Sequence, residues 1–138
     1  MATLLDSEII KLNTLNPISL AYLGDAVYEI LVREHLAIEG DRPPEQLHRL
    51  AVNFVSANAQ SAAAKKIIPL LTEEELTAYK RGRNAKVSHI PKGSSVAQYH
   101  SATGFEALFG HLYLTEQTGR MRELFRIICE GENFEQKK

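Results

Sequence analysis

The hydrophobic positions along the chain recur at steps of three and four residues, which is the spacing that one face of an α-helix requires. The clearest case begins at Asn16 and Pro17, a capping residue followed by proline, and it predicts a helix to about His35. Glycine and proline in residues 39–44 are predicted to end it. No stretch alternates apolar and polar residues as a strand would, so the pattern predicts an all-α fold.

The rest of the chain predicts further helices, each with a recognisable start signal. Ser56 is a suitable cap for an alanine-rich helix, and Thr72 with Glu75 has the spacing of a capping box. Proline, glycine and serine in residues 87–98 predict a loop. Of the other predicted helices, one starts at the prolines 43–44 and one covers residues 72–84. A further helix starts near Tyr99, and the last covers residues 118–131.

Length, charge and cysteine content restrict the class of protein. The 138 residues fit one domain spanning 1–138, with an N-terminal extension over 1–14 and a polar tail over 132–138. The net charge of −1 gives no overall basic field, and the single cysteine, Cys129, cannot form an internal disulfide. Neither a signal peptide nor a membrane-spanning run is evident. We therefore expect a cytoplasmic protein with no membrane partner.

Two acidic residues lie in otherwise apolar helical stretches. Asp25 follows Gly24 in LAYLGDAVYE, and Glu106 lies between Gly104 and Gly110 in GFEALFG. Each acid alone is more simply a core carboxylate paired with an arginine or with a helix N-terminus. Two such acids on helices that pack together would instead form a hard oxygen site suited to Mg²⁺. The small glycines would also let a bulky backbone, such as that of a nucleic acid, approach closely.

A basic block is hidden by the near-zero net charge. Residues 76–105 contain no Asp or Glu, and they hold Lys80, Arg81, Arg83, Lys86 and Lys92. Cations followed by a Gly/Ser loop suit phosphate contacts, because cations neutralise phosphates and bare backbone N–H groups bind their oxygens. The alternative is a solvated helix face whose charges favour the helix C-terminus. Charge alone does not separate the two.

The segments LAYLGDAVYE, KRGRNAK and ATGFEALFG together resemble the ribonuclease III family. The resemblance is closer to its short Mini-III branch, which lacks the double-stranded-RNA-binding domain, and it covers about residues 15–131. It implies a helical-bundle endonuclease domain that acts as a homodimer. It also implies Mg²⁺-dependent hydrolysis of double-stranded RNA, and for this branch the substrate is the precursor of 23S ribosomal RNA.

The resemblance also implies roles for particular residues. Asp25 and Glu106 match the catalytic, metal-binding carboxylates of the family, and Tyr22 matches an aromatic residue at the dimer interface. Full-length relatives carry two more acids, at the positions of Ala21 and Thr103 here. With two protein carboxylates per site, we expect more metal ligands from water and substrate phosphate, and weak metal binding without RNA.

The prediction is therefore an endoribonuclease that leaves a 5′-phosphate and a 3′-hydroxyl. Without a second domain, the basic block must supply most of the affinity for RNA, and a ribosomal protein that helps to select the substrate is a further hypothesis. Two alternatives stay open: a catalytically silent RNA-binding scaffold in ribosome assembly, and an all-α interaction dimer with no RNA role. The predicted RNA-contacting residues are Lys80, Arg81, Arg83, Asn84, Lys86, Lys92, Gly93 and Ser94.

Overall fold

A computed structural model describes residues 15–86, 90, 92 and 95–130. Within these residues there is no strand, which confirms the all-α prediction, and none of the described helices is long and apolar enough to cross a membrane. The predicted extension and tail, together with Gly93 and Ser94, lie outside the described residues. The helices are α1 Pro17–Glu39, α2 Pro44–Val55, α3 Ala57–Ile67, α4 Glu73–Arg83, α5 Val96–Leu114 and α6 Thr118–Cys129, with a 3-10 turn at Ile68–Leu70.

The helix starts follow the local capping signals. The side chain of Asn16 accepts the N–H of Ile18 at 2.7 Å, and the capping box of Thr72 and Glu75 is formed in both directions. Two predicted boundaries were wrong. Helix α1 continues beyond His35 to Glu39 and buries Leu36, and α5 begins at Val96, not near Tyr99. The early start has a local cause, because the side chain of Ser95 caps α5 by accepting the N–H of Gln98.

Helix α5 lies at the centre of the bundle and packs against α1, α3, α4 and α6. Its ring-bearing face meets Tyr28 of α1, whose ring centroid lies 4.8 Å from that of Phe105 and 5.1 Å from that of Phe109, both edge to face. These three side chains are fully buried. Burial of such rings removes much apolar area from water and fixes how α1 crosses α5.

Glycines allow α5 to approach its neighbours with backbone contact. A Cβ on Gly24 would collide with the carbonyl of Glu106, and a Cβ on Gly110 would collide with the carbonyl of Leu20. The expectation that Gly24 leaves room for a nucleic-acid backbone was therefore wrong. The backbone that occupies this space is that of α5 in the same chain.

A buried ion pair joins α4 to α6. Glu75 is 3% exposed, and Arg120 donates to its two carboxylate oxygens, from Nε and Nη2, at 2.8 Å each. The same guanidinium donates to the carbonyl of Leu70 at 2.9 Å. The hydrogen bonds from Arg120 are the main reason that the pKa of Glu75 lies below its ordinary value.

Candidate active site

The structure brings Asp25 and Glu106 together at the surface. Asp25 lies on α1 one residue beyond Gly24, where the α1 backbone meets that of Glu106 in α5, and the two carboxyl groups share a hydrogen bond. Asp25 is exposed and Glu106 is half-buried. Asp25 is therefore not a core charge, because its apolar sequence neighbours such as Val27 and Tyr28 face inward while it faces solvent. No arginine or lysine in the described part of the chain forms an ion pair with either acid.

The two neighbouring carboxyl groups repel each other when both are ionised, and this repulsion favours the binding of a cation. Burial, and next the charge of Asp25, raise the pKa of Glu106 to about 8, while the amide of Gln60 acts in the opposite direction. Near neutral pH Glu106 therefore keeps its proton. A cation placed between the two carboxyl groups would displace that proton and relieve the repulsion. The oxygen ligands are those that Mg²⁺ prefers.

The protein contributes few ligands at this place. Within the described residues, no group of three or more His, Cys, Asp or Glu side chains could hold a metal ion. Ala21 and Thr103, where full-length relatives carry acids, are 4% and 7% exposed, and the hydroxyl of Thr103 donates to the carbonyl of Tyr99. The two carboxylates could therefore hold a divalent cation only together with ligands from water and substrate.

Gln60, the third residue of this cluster, was not predicted from the sequence. It lies on α3, is 1% exposed, and turns its side-chain amide toward the carboxyl group of Glu106. Within SANAQSAAAKKII it resembles a solvent-facing polar residue of an alanine-rich helix. The sequence feature that could have indicated a special role for Gln60 is its length, because a long polar side chain is unusual among alanines. Its burial depends on where α5 packs, which helical periodicity does not give.

The basic block lies at the end of α4, close to the same stretch of α5. A Cβ on Gly82 would lie 3.0 Å from the carbonyl of Thr103, one helical turn before Glu106. Lys80, Asn84, Lys86 and Lys92 are exposed. The α4 part of the basic block thus packs against α5 through Gly82, while its lysines are exposed to solvent.

Two arginines of the block have structural contacts as well. Arg81 is half-buried and donates to the carbonyl of Leu15 at 3.0 Å, which holds the residue just before α1. The guanidinium of Arg83 lies 5.7 Å from the ring centroid of Tyr79, and its Nε donates to Oδ1 of Asn84 at 3.2 Å. These contacts restrict both side chains, so their substitution is expected to change the fold locally as well as the surface charge.

Tyr22 lies on α1, three residues before Asp25, and is 84% exposed. A tyrosine of that exposure does not contribute to the core, although its helix does. It presents an apolar ring with a polar tip beside the candidate site, which is the type of side chain enriched at protein interfaces.

The chain is similar to known proteins over most of its length. A family model for the ribonuclease III domain matches residues 18–117, which include both carboxylates and the basic block. A Mini-ribonuclease 3 from Enterococcus faecalis is 48% identical over 112 residues, 80% of this chain and 85% of the relative. One from Symbiobacterium thermophilum is 48% identical over 117 residues, 85% of this chain and 90% of the relative.

A solved structure gives the same result for the fold. A crystal structure of a protein from Fusobacterium nucleatum superposes with a TM-score of 0.79 at 32% identity, and the match covers 92% of this chain and all of that one. The sequence relatives, the domain match and the fold point to one assignment. The chain belongs to the ribonuclease III family, in its Mini-ribonuclease 3 branch, and is an endoribonuclease.

Proposed function

We propose that this endoribonuclease hydrolyses double-stranded RNA at the Asp25–Glu106 pair and that Mg²⁺ is its cofactor. The observation that carries the proposal is the contact between the two carboxyl groups, with the pKa of Glu106 raised to about 8. When bound, Mg²⁺ would polarise the scissile phosphate and promote ionisation of the attacking water. Both carboxylates would be its protein ligands, directly or through water.

The two carboxylates have different tasks in this scheme. Asp25, the exposed partner, orients the attacking water in line with the bond to be broken. Glu106, the half-buried partner, is deprotonated when the cation binds. Water attacks phosphorus and gives up a proton to solvent, the bond to the 3′ oxygen breaks, and that oxygen takes up a proton from solvent. The products are a 5′-phosphate and a 3′-hydroxyl.

The basic block supplies the contacts to the RNA backbone. Lys80, Asn84, Lys86 and Lys92 are exposed and reach phosphates, while Arg81 and Arg83 contribute charge from more restricted positions. Gly93 and Ser94 would add backbone contacts. Because an RNA duplex is recognised mainly by its shape and 2′-hydroxyls, we expect weak base specificity from the domain alone.

A homodimer completes the proposal, with Tyr22 at its interface. The support is the 84% exposure of this ring three residues from Asp25, on the surface next to the site. A second copy would place a second basic block and a second carboxyl pair on the same RNA duplex. Two sites in one dimer could then cut both strands.

The substrate that we propose is the precursor of 23S ribosomal RNA, processed in the cytoplasm. The support is membership of the Mini-ribonuclease 3 branch together with the resemblance of the motifs. A ribosomal protein bound to the precursor would add the selectivity that the domain itself lacks. Equal cleavage of naked and protein-bound precursor would count against that partner.

The test is cleavage of precursor RNA by the pure protein with Mg²⁺ or with EDTA. Asp25→Asn and Glu106→Gln each remove one carboxylate with little change of shape, and we expect each to lose at least about 100-fold in rate while RNA affinity is retained. Asp41→Asn and Glu34→Gln are matched controls, because both residues are exposed and lie outside the carboxyl pair. The rate of cleavage of an unrelated RNA duplex, compared with that of the precursor, gives the selectivity for the precursor.

The outcomes distinguish the proposed enzyme site from the alternative of a catalytically silent RNA-binding scaffold. That alternative is favoured by the presence of Ala21 and Thr103 at positions where full-length relatives carry acids. Discrete Mg²⁺-dependent cuts that disappear in both site variants support the proposed site. Binding without cuts in every variant would identify a silent scaffold instead. Full cleavage by the Asp25→Asn protein would remove the carboxyl pair from the mechanism.

A further inference from the structure

Gln60 is a buried polar side chain with an incomplete set of hydrogen bonds. It is 1% exposed, and its Nε2 forms no hydrogen bond of standard geometry to any residue that the structure describes. An unsatisfied buried amide N–H is destabilising, so a residue in this state needs a reason. The amide nevertheless lies near enough to Glu106 to favour its charged form.

The helix that carries Gln60 is held firmly against the helix that carries Glu106. Ser56 caps α3 by accepting the N–H of Ala59 at 3.2 Å. Asn58, on the same first turn, accepts the side-chain amide of Gln98 of α5 at 2.8 Å. Residues on the next turns of α3, Ala63, Ala64 and Ile67, are buried. The position of the Gln60 amide relative to Glu106 is therefore set by two rigid elements.

We propose that Gln60 is a positioning residue for Glu106, and that its buried amide donates to one oxygen of the Glu106 carboxyl group so that the other oxygen faces Asp25. This inference rests on the proposed role of the carboxyl pair. In the structure Glu106 hydrogen-bonds to Asp25, and the Gln60 donor is incompletely used. The carboxyl group of Glu106 offers an acceptor oxygen to this donor.

The chemical need for such a residue follows from the small number of acids. With two protein carboxylates and small side chains at Ala21 and Thr103, the described residues offer no further metal-binding acid at this pair, so Glu106 must be oriented by a group of another kind. A neutral donor does this without adding negative charge beside Asp25. Residues that orient a metal ligand through a hydrogen bond typically change metal affinity or activity by about 10–100-fold.

The test is Gln60→Met, which keeps the length of the side chain and removes the donor. We expect kcat to fall by about 10–100-fold with an unchanged KM for RNA. A second readout uses the metal-free protein: Gln60→Met should change the loss of unfolding free energy that Glu106→Ala causes, because the two substitutions remove the two sides of one contact. Gln46→Met, at an exposed glutamine of α2, is the matched control and should change neither quantity.

Each result decides the question. A lower kcat together with a changed loss of stability from Glu106→Ala supports positioning. A lower kcat with an unchanged loss means that Gln60 acts on cleavage without contacting Glu106, and an unchanged kcat means that the contact is irrelevant to cleavage. Either would overturn the proposal.

Two more variants distinguish a folding defect or a wrong site from a loss of positioning by Gln60. If Gln60→Met fails to fold, Gln60→Asn keeps a buried amide but withdraws it by one methylene, and full activity of that variant would overturn the inference. Glu106→Gln is measured in parallel. If it cleaves normally, the proposed site itself is wrong; if it is inactive while Gln60→Met is fully active, the role of Gln60 alone is wrong.

Discussion

Gly24 of α1 lies directly against the carbonyl group of Glu106 in α5, with no space for a side chain between them. A Cβ at this glycine would collide with that carbonyl and would lie 2.7 Å from the backbone nitrogen of Gly110. The contact sets how closely the two helices approach. It therefore also sets the distance between Asp25, the next residue of α1, and the carboxyl group of Glu106.

Gly24→Ala should separate α1 from α5. Because the colliding atoms belong to the backbone, we expect the free energy of unfolding to fall by about 3 kcal/mol or more, with cleavage lost as the carboxyl groups move apart. The measurement is urea unfolding followed by circular dichroism. Gly119→Ala is the control, because nothing lies within 4 Å of its Cβ and the change should stabilise α6. Equal stability of Gly24→Ala and the unmodified chain would contradict the packing.

Stability of the metal-free protein should depend on the ionisation of Glu106, which faces Asp25 and Gln60. Its pKa is about 8 in the fold and its ordinary value is 4.5, so the unfolded chain releases this proton first. The contribution of the group is full below pH 4.5 and decreases as the pH rises toward 8. Glu106→Gln should remove this decrease and raise the free energy of unfolding above pH 8 by about 1–3 kcal/mol.

The check is unfolding in EDTA at several pH values across that range, with Glu34→Gln as the control for loss of an exposed carboxylate. Added Mg²⁺ should restore stability of the unmodified chain at high pH and leave Glu106→Gln almost unaffected, since a cation binds the ionised pair. If the free energy of unfolding depended on pH in the same way in the unmodified chain and in Glu106→Gln, Glu106 would not have the raised pKa.

The ion pair of Arg120 with Glu75 should be important for stability. Arg120→Met leaves a buried carboxylate uncompensated, and we expect a loss of about 3–5 kcal/mol at neutral pH. Because the pKa of Glu75 is depressed in the fold, the pair stabilises above the ordinary pKa of glutamate and loses this effect as the pH falls. The penalty of the substitution should therefore shrink in acid.

Arg33→Met is the matched control for that substitution. Arg33 pairs with Glu29 at 2.7 Å, but its side chain is 71% exposed, so a change within about 0.5 kcal/mol is expected. Thermal unfolding of both variants at neutral and acid pH provides the comparison. Similar losses in the two variants would show that burial of the Glu75 pair has little energetic effect.

RNA affinity should depend on the exposed lysines of the basic block. Lys80→Ala and Lys86→Ala should each weaken binding and reduce the slope of log affinity against log salt by about one, without loss of stability. Lys65→Ala, an exposed lysine at the end of α3, is the control. Filter binding of an RNA duplex in EDTA at several salt concentrations measures the slope. Equal slopes in all three variants would place the RNA elsewhere.

Self-association should depend on Tyr22. Tyr22→Ala should weaken the proposed homodimer at least about tenfold, because truncation of a central aromatic residue commonly costs more than 1 kcal/mol at an interface. Sedimentation equilibrium measures the dissociation constant. Ile38→Ala is the control on the same helix, since Ile38 is 76% exposed but lies several turns from the site. A monomer in the unmodified chain would refute the dimer.

The sequence by itself determined the helical elements and the chemistry available to them. Asn16, Thr72 and Glu75 cap their helices through contacts within a few residues, so local spacing was sufficient to predict them. Asp25 and Glu106 could be predicted as candidate site residues because charged residues are unusual in apolar helical runs. The motifs around them predicted the family that the comparisons show.

The tertiary structure decided which of these residues meet. The contact of Asp25 with Glu106, the burial of Gln60 and the pairing of Glu75 with Arg120 join residues far apart in the chain. Helical periodicity says that a face is apolar or polar, but it does not say which neighbour covers that face or how closely. Here the closeness depends on backbone contact at Gly24, and this contact, rather than local propensity, creates the carboxyl pair.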